Sequence, residues 1–234
     1  METSLRHLII FAFAAAISSA FGQSRTELPN YPDLPLQEQS VWLLDYRGVK
    51  SSLGLTDAEQ QGVDRANKSY SNGQVRMAAR NVAATDAQNE ALDRSFAHAV
   101  LQALTPVHRE RLLEILLQVK GAEALEDANV AKEVGVTPDQ KSHLHVVLEA
   151  ANTREENFNA ALTKKVLMLP RIAPASLYEK KRLAAIQAAE PLREALARQR
   201  TADENKVIGS LTPPQRRRWD KLLGTPFPLA RYRN

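Results

Sequence analysis

The residues that could do chemistry in this chain are five histidines and some adjacent carboxylates; there is no cysteine. His143 and His145 stand two positions apart. On a helix that spacing turns them about 200° from each other, so they cannot hold one metal ion together. His98 and His108 fall on different predicted helices. Glu155-Glu156 and Asp203-Glu204 offer the paired carboxylates that acid–base work uses. Both pairs lie in polar helical stretches, and solvated helix faces account for them. The sequence has no glycine-rich phosphate loop and no G-x-S-x-G, H-E-x-x-H or C-x-x-C motif. This reading therefore assigns no catalytic residue, no metal ligand and no cofactor. Without cysteine there is also no disulfide framework.

The elements that would position any site are helical. Apolar residues make up 44% of the chain, charged ones 25% and aromatic ones 6%, a composition that leans on good helix formers over β-branched or aromatic runs. Four short sequences read as helix starts: Leu55-Thr56-Asp57-Ala58-Glu59, Leu104-Thr105-Pro106-Val107-His108, Val136-Thr137-Pro138-Asp139-Gln140 and Leu211-Thr212-Pro213-Pro214-Gln215. Threonine at the N-cap accepts from the third helical amide. The Gln or Glu three residues on can bond back to the cap's own amide, giving a capping box. Proline at the first helical position sacrifices no bond. Each such cap is worth about 0.5–2 kcal/mol. Downstream, Leu112, Ile115, Leu116 and Val119 recur at helical spacing. So do Leu144, Leu148, Ala151, Phe158, Leu162, Val166 and Leu169, and after them Leu183, Ile186, Leu192 and Leu196. These stripes are expected to be mutual core. Ser71-Asn72-Gly73 is expected to interrupt a helix, Leu169 to Pro174 to break one into a hairpin, and Pro191 to kink or end one.

The four starts fall into two ordered pairs. Leu44–Thr56 aligns with Leu125–Thr137 at an offset of 81, with Gly54 and Gly135 in register as helix-ending residues. Leu104–Pro106 aligns with Leu211–Pro213 at an offset of 107. The fold class predicted is all-α: two tandem helical-hairpin units with capped helices, packed as a bundle or cradle. Residues 37–120 form the first unit and 121–227 the second, after an irregular lead-in over 23–36, with a basic C-terminal tail over 228–234. The second unit is longer by 26 residues between its two caps.

Residues 1–22 read as a secretory signal peptide. Arg6 supplies the positive start, Leu8–Phe21 the apolar run and Ala20-Phe21-Gly22 the small residues before a cut between Gly22 and Gln23. That places the mature chain in the periplasm or otherwise outside the cytoplasm. Charge is uneven: residues 205–234 carry +6 and residues 23–204 carry −2. Arg216, Arg217, Arg218 and Lys221 are the candidate partner-binding basic patch, able to meet an acidic partner or an anionic membrane surface. No nucleic-acid motif accompanies the charge, and nucleic acid is not an expected partner.

In their order and residue types, the four starts resemble the Spy/CpxP/ZraP-like LTxxQ-motif family of periplasmic proteins. The matching positions are Leu53, Leu55, Thr56, Glu59, Leu104, Thr105, Pro106 and Arg109 in the first unit. In the second they are Val134, Val136, Thr137, Gln140, Leu211, Thr212, Pro213, Gln215 and Arg216. The chain departs from the motif at Glu59 and His108, where glutamine is replaced, and in fusing two units. The resemblance implies an ATP-independent chaperone-like or stress-response protein that binds unfolded or envelope proteins on a helical surface. The alternative is a regulatory adaptor or an architectural envelope protein. Fusion implies that one chain supplies both halves of a pseudo-dimer.

Overall fold

The computed structural model describes residues 34–79, 85–168 and 175–228. Among these, every regular element is helical and the fold is all-α. The expected signal peptide, most of the lead-in, the break at Leu169–Pro174 and the arginines at 231 and 233 lie outside the described residues. No helix among the described residues is long and apolar enough to cross a membrane.

The chain divides into two compact units. The first comprises residues up to Val119 together with those from Leu222 onward; the second runs from Lys120 to Lys221. The sequence reading had placed 121–227 together, so residues 222–227 change sides. The reason is local. Gln118 donates its side-chain amide to the carbonyls of Leu223 (2.5 Å) and Thr225 (2.9 Å) and accepts from the amide of Phe227 (2.7 Å), whose ring is buried. Arg111 adds a bond to the Thr225 carbonyl at 2.6 Å.

In the first unit, α1 (Leu36–Gln39) runs into a 3₁₀ turn (Ser40–Asp45) and then α2 (Arg47–Leu53). The longer α3 (Asp57–Ala78) and α4 (Asp86–Ala103) pack on each other, and α5 (Pro106–Lys120) follows. Leu43, Val49, Val63, Val100, Leu112, Ile115 and Leu116 are sealed from solvent. Trp42, Tyr70 and Phe96 cluster with centroids 4.7–5.5 Å apart. The Tyr70 hydroxyl donates to Asp93 at 2.6 Å. Burial raises the Asp93 pKa and that hydrogen bond pulls it back in part. Helix α3 is continuous through Ser71-Asn72-Gly73, against expectation. A Cβ at Gly73 would lie 2.6 Å from a methyl of Leu92, so this glycine lets α4 approach where a larger residue would hold it away. Packing decides here, and helix propensity, which costs Gly about 1 kcal/mol against Ala, yields to it.

The second unit opens on a 3₁₀ turn (Gly121–Glu126) and α6 (Ala128–Val134). Then come α7 (Pro138–Leu167), α8 (Ala175–Gln187), α9 (Glu190–Gly209) and α10 (Pro213–Leu223). Leu144, Leu148, Ala151, Leu162, Val166, Ile186, Val207 and Trp219 are buried, while Phe158 is half-buried and Leu183 and Leu192 are exposed. Pro191 sits in the first turn of α9, where a missing amide costs nothing, so it opens a helix instead of kinking one. α9 runs antiparallel to α7. Arg200 reaches Asn152 and Glu155 at 3.0 Å each, Glu204 at 3.2 Å and Glu123 at 3.3 Å, and Arg154 pairs with Asp203. Asp203 is buried and also accepts from Gln199. Of the carboxylates read as solvated faces, Glu155 and Asp203 thus bind these helices to one another, while Glu204 holds Arg200 within α9.

Candidate functional site: the paired helix caps

Each helix start begins from the corner before it. Gly54 and Gly135 end α2 and α6 at φ values of 61° and 79°, in the left-handed region that favours glycine. The chain then turns within two residues into Thr56 and Thr137. Leu104 is buried at the second start, while Leu55, Val136 and Leu211 are half-buried, so the residue before each threonine anchors the corner.

The capping boxes at Thr56–Glu59 and Thr137–Gln140 are complete. A further one, Thr85–Gln88, starts α4 and was passed over in the sequence, although Thr85-Asp86-Ala87-Gln88 nearly repeats Thr56-Asp57-Ala58-Glu59. At the other two starts, the His108 amide points to the Thr105 hydroxyl at 3.4 Å, and the Thr212 amide donates to Gln215 at 2.9 Å.

The caps do not act singly. In the first unit, Glu59 is 4% exposed and its carboxylate serves two helix starts. One oxygen accepts from the amide and hydroxyl of Thr56, both at 2.9 Å. The other accepts from the Thr105 amide at 2.8 Å and from His108 Nδ1 at 2.7 Å. Burial alone would raise the Glu59 pKa. The bonds from Thr105, Thr56 and His108 outweigh burial and hold it well below the ordinary carboxyl range. An ionised carboxylate only accepts, so His108 Nδ1 carries the proton in this bond.

In the second unit the same two positions are Gln140 and Gln215. Their side-chain amides pair reciprocally: Gln140 Nε2 donates to Gln215 Oε1 at 3.0 Å and Gln215 Nε2 to Gln140 Oε1 at 2.8 Å. Gln140 also donates to the Ser210 carbonyl at 3.1 Å, and Gln215, buried, to the Gly135 carbonyl at 2.5 Å. An arginine ties down a neighbouring carbonyl in each unit: Arg109 that of Leu104 at 2.9 Å, Arg218 that of Val134 at 2.8 Å.

No family model matches the chain, and no curated protein or solved structure matches it. Its chemistry is therefore read from its own geometry. The polar groups of the four starts are spent on one another and on backbone atoms. The basic patch is divided as well. Arg218 holds the Val134 carbonyl and Arg216 pairs with Asp220 at 3.1 Å, while Arg217 and Lys221 are exposed one helical turn apart. His98 bonds Gln102, His145 bonds Glu126, and His143 is exposed. Pairing between caps was not foreseen. The signal for it was the joint difference at Glu59 and His108, an acid and a base where the second unit has Gln140 and Gln215.

Proposed function

We propose that this chain is an ATP-independent, chaperone-like binding protein that works outside the cytoplasm, where its N-terminal sequence would direct it. The observation that carries the reading is the division of labour between its polar and apolar groups. The polar side chains of the helix starts lock the scaffold internally. Large apolar side chains stand out on the helices: Val75 and Val107 in the first unit, and Val146, Met168 and Leu192 among others in the second. Such side chains on a locked helical scaffold suit weak, adaptable contact with exposed segments of other polypeptides. The two ordered pairs of starts, resembling the LTxxQ-motif family, support the same reading. They also support two tandem units acting as a pseudo-dimer within one chain.

The test is to dilute a chemically unfolded client into buffer with the purified protein, without ATP, and follow light scattering. Suppression near equal molar ratio is the expected result; full aggregation in the presence of folded protein would rule the reading out. A second reading, an envelope adaptor or architectural protein, draws on Arg217 and Lys221 on α10. Deleting the segment would remove buried Gln215 and Trp219, so the informative variant is Arg217→Glu with Lys221→Glu. Loss of envelope association with intact client binding would favour that alternative.

A further inference from the structure

Exposed large apolar side chains are not spread evenly. Of the eight among the described residues, five lie from Leu167 to Leu192, in the span between the caps at Thr137 and Thr212. Leu167 and Met168 close α7, Leu177 and Leu183 lie on α8, and Leu192 opens α9. Met168 is 72% exposed and Leu192 56%. Ala185 and Ile186, on the same helix as Leu177 and Leu183, are buried, so α8 packs through these residues and leaves its leucines outside.

The charge of this stretch is one-sided. Between Lys164 and Arg193 the sequence has seven basic residues and two acidic ones. Lys164, Lys165, Lys180 and Lys181 are all exposed, and none has an ion-pair partner among the described residues. Where α7 and α9 pack together the chain does the opposite. Arg154 and Arg200 are met by Asp203, Glu123, Glu155 and Glu204. Cations between packed helices are neutralised; near the exposed leucines Arg182 and Arg193 pair with Glu179 and Glu190, and the four lysines are left for something else to neutralise.

We infer that the exposed surface of the last turn of α7, of α8 and of the start of α9 is the docking surface for acidic, apolar segments of unfolded polypeptide. The proposal rests on the chaperone-like reading and gives it a place and a client chemistry. Lysines on flexible stems reach carboxylates in many geometries, and the leucines and Met168 between them take apolar side chains. A membrane fits less well. Leu177 and Leu183 are six residues apart, about 120° around the helix, so α8 lacks the single apolar stripe that lies flat in a bilayer interface.

The experiment measures binding of fluorescently labelled, reduced and carboxymethylated α-lactalbumin, an acidic and permanently unfolded chain, to the purified protein by anisotropy. One variant reverses charge (Lys164→Glu, Lys165→Glu, Lys180→Glu, Lys181→Glu) and a second neutralises it (the same positions to Gln). A third removes apolar surface (Met168→Ser, Leu177→Ser, Leu183→Ser). All sites are exposed, and circular dichroism checks that helicity is kept. The expected result is Kd weakened about tenfold or more by charge reversal, less by neutralisation, and severalfold by the serine variant. Wild-type binding unchanged in all three overturns the inference and leaves the chaperone-like reading standing, with its surface elsewhere. No binding by the wild-type protein to this or any unfolded client ends both. If charge reversal abolishes binding to phosphatidylglycerol vesicles and spares the polypeptide, the surface is a membrane contact and the inference is wrong.

Discussion

The first unit joins two helix starts through Glu59 and His108, and the second joins the equivalent starts through Gln140 and Gln215. The architecture at the two junctions is alike, but the physics differs. A pair of neutral amides is satisfied by shape, each offering one donor and one acceptor to the other. A buried carboxylate must be satisfied by count, and Glu59 collects four hydrogen bonds from three residues. The charged version concentrates the joint on one side chain. The neutral version shares it between two, each with a further backbone carbonyl to hold.

Three substitutions and a titration test this difference, the largest effect first. Glu59→Ala leaves the Thr56 and Thr105 amides and His108 without their acceptor and is expected to cost about 3 kcal/mol in urea unfolding. Gln140→Ala removes neutral bonds that water can replace in part, at about 1 kcal/mol. Equal costs would mean that the carboxylate is no more central than the amide.

Acid comes next. Because the Glu59 pKa is lowered on folding, its contribution is complete above the ordinary carboxyl value of 4.5 and is lost as the pH falls below it. The raised pKa of Asp93 acts in the opposite sense, so a global melting curve would blur the two. Amide hydrogen exchange, corrected for intrinsic rate, isolates the junction. Between about pH 5 and pH 3 the Thr105 amide should lose protection while the Thr212 amide, bonded to Gln215, keeps its own. The double variant Glu59→Gln with His108→Gln converts the first junction into the second. It should remove the acid sensitivity at Thr105 and leave unfolding free energy within about 1 kcal/mol of the parent.

A separate comparison concerns two helical glycines, and the smallest expected effect is at Gly209. Gly73→Ala should cost about 1–3 kcal/mol by forcing Leu92 aside. Gly209→Ala, with open space around its Cβ, should gain a few tenths up to about 1 kcal/mol. A gain at both positions would mean that α3 and α4 have room to part.

These residues also mark where sequence reading stops. Caps and corners are local, so Thr56–Glu59, Thr137–Gln140, Gly54 and Gly135 were readable from neighbours within four residues. The reading failed where a distant side chain decided the outcome. Gly73 looked like a breaker because Leu92, nineteen positions on, is invisible to local spacing. Asp203 looked solvated because its partner Arg154 lies one helix away. Leu183 and Leu192 satisfied helical spacing yet stand outside, since spacing says that a stripe exists and not that anything covers it. Glu59 and His108 were each recognised as cap residues. That they bond each other, 49 positions apart, follows from how the two starts pack.

The clasp of Gln118 on residues 223–227 bears on the order in which the protein can be completed. Phe227 and its extended segment belong to the first unit but are synthesised after the whole of the second. At about 5–20 residues per second, the hundred or so residues between Val119 and Leu222 take roughly 5–20 s to emerge. Through that interval the first unit waits with the seat for Phe227 unfilled, while the second has all its residues and can close first.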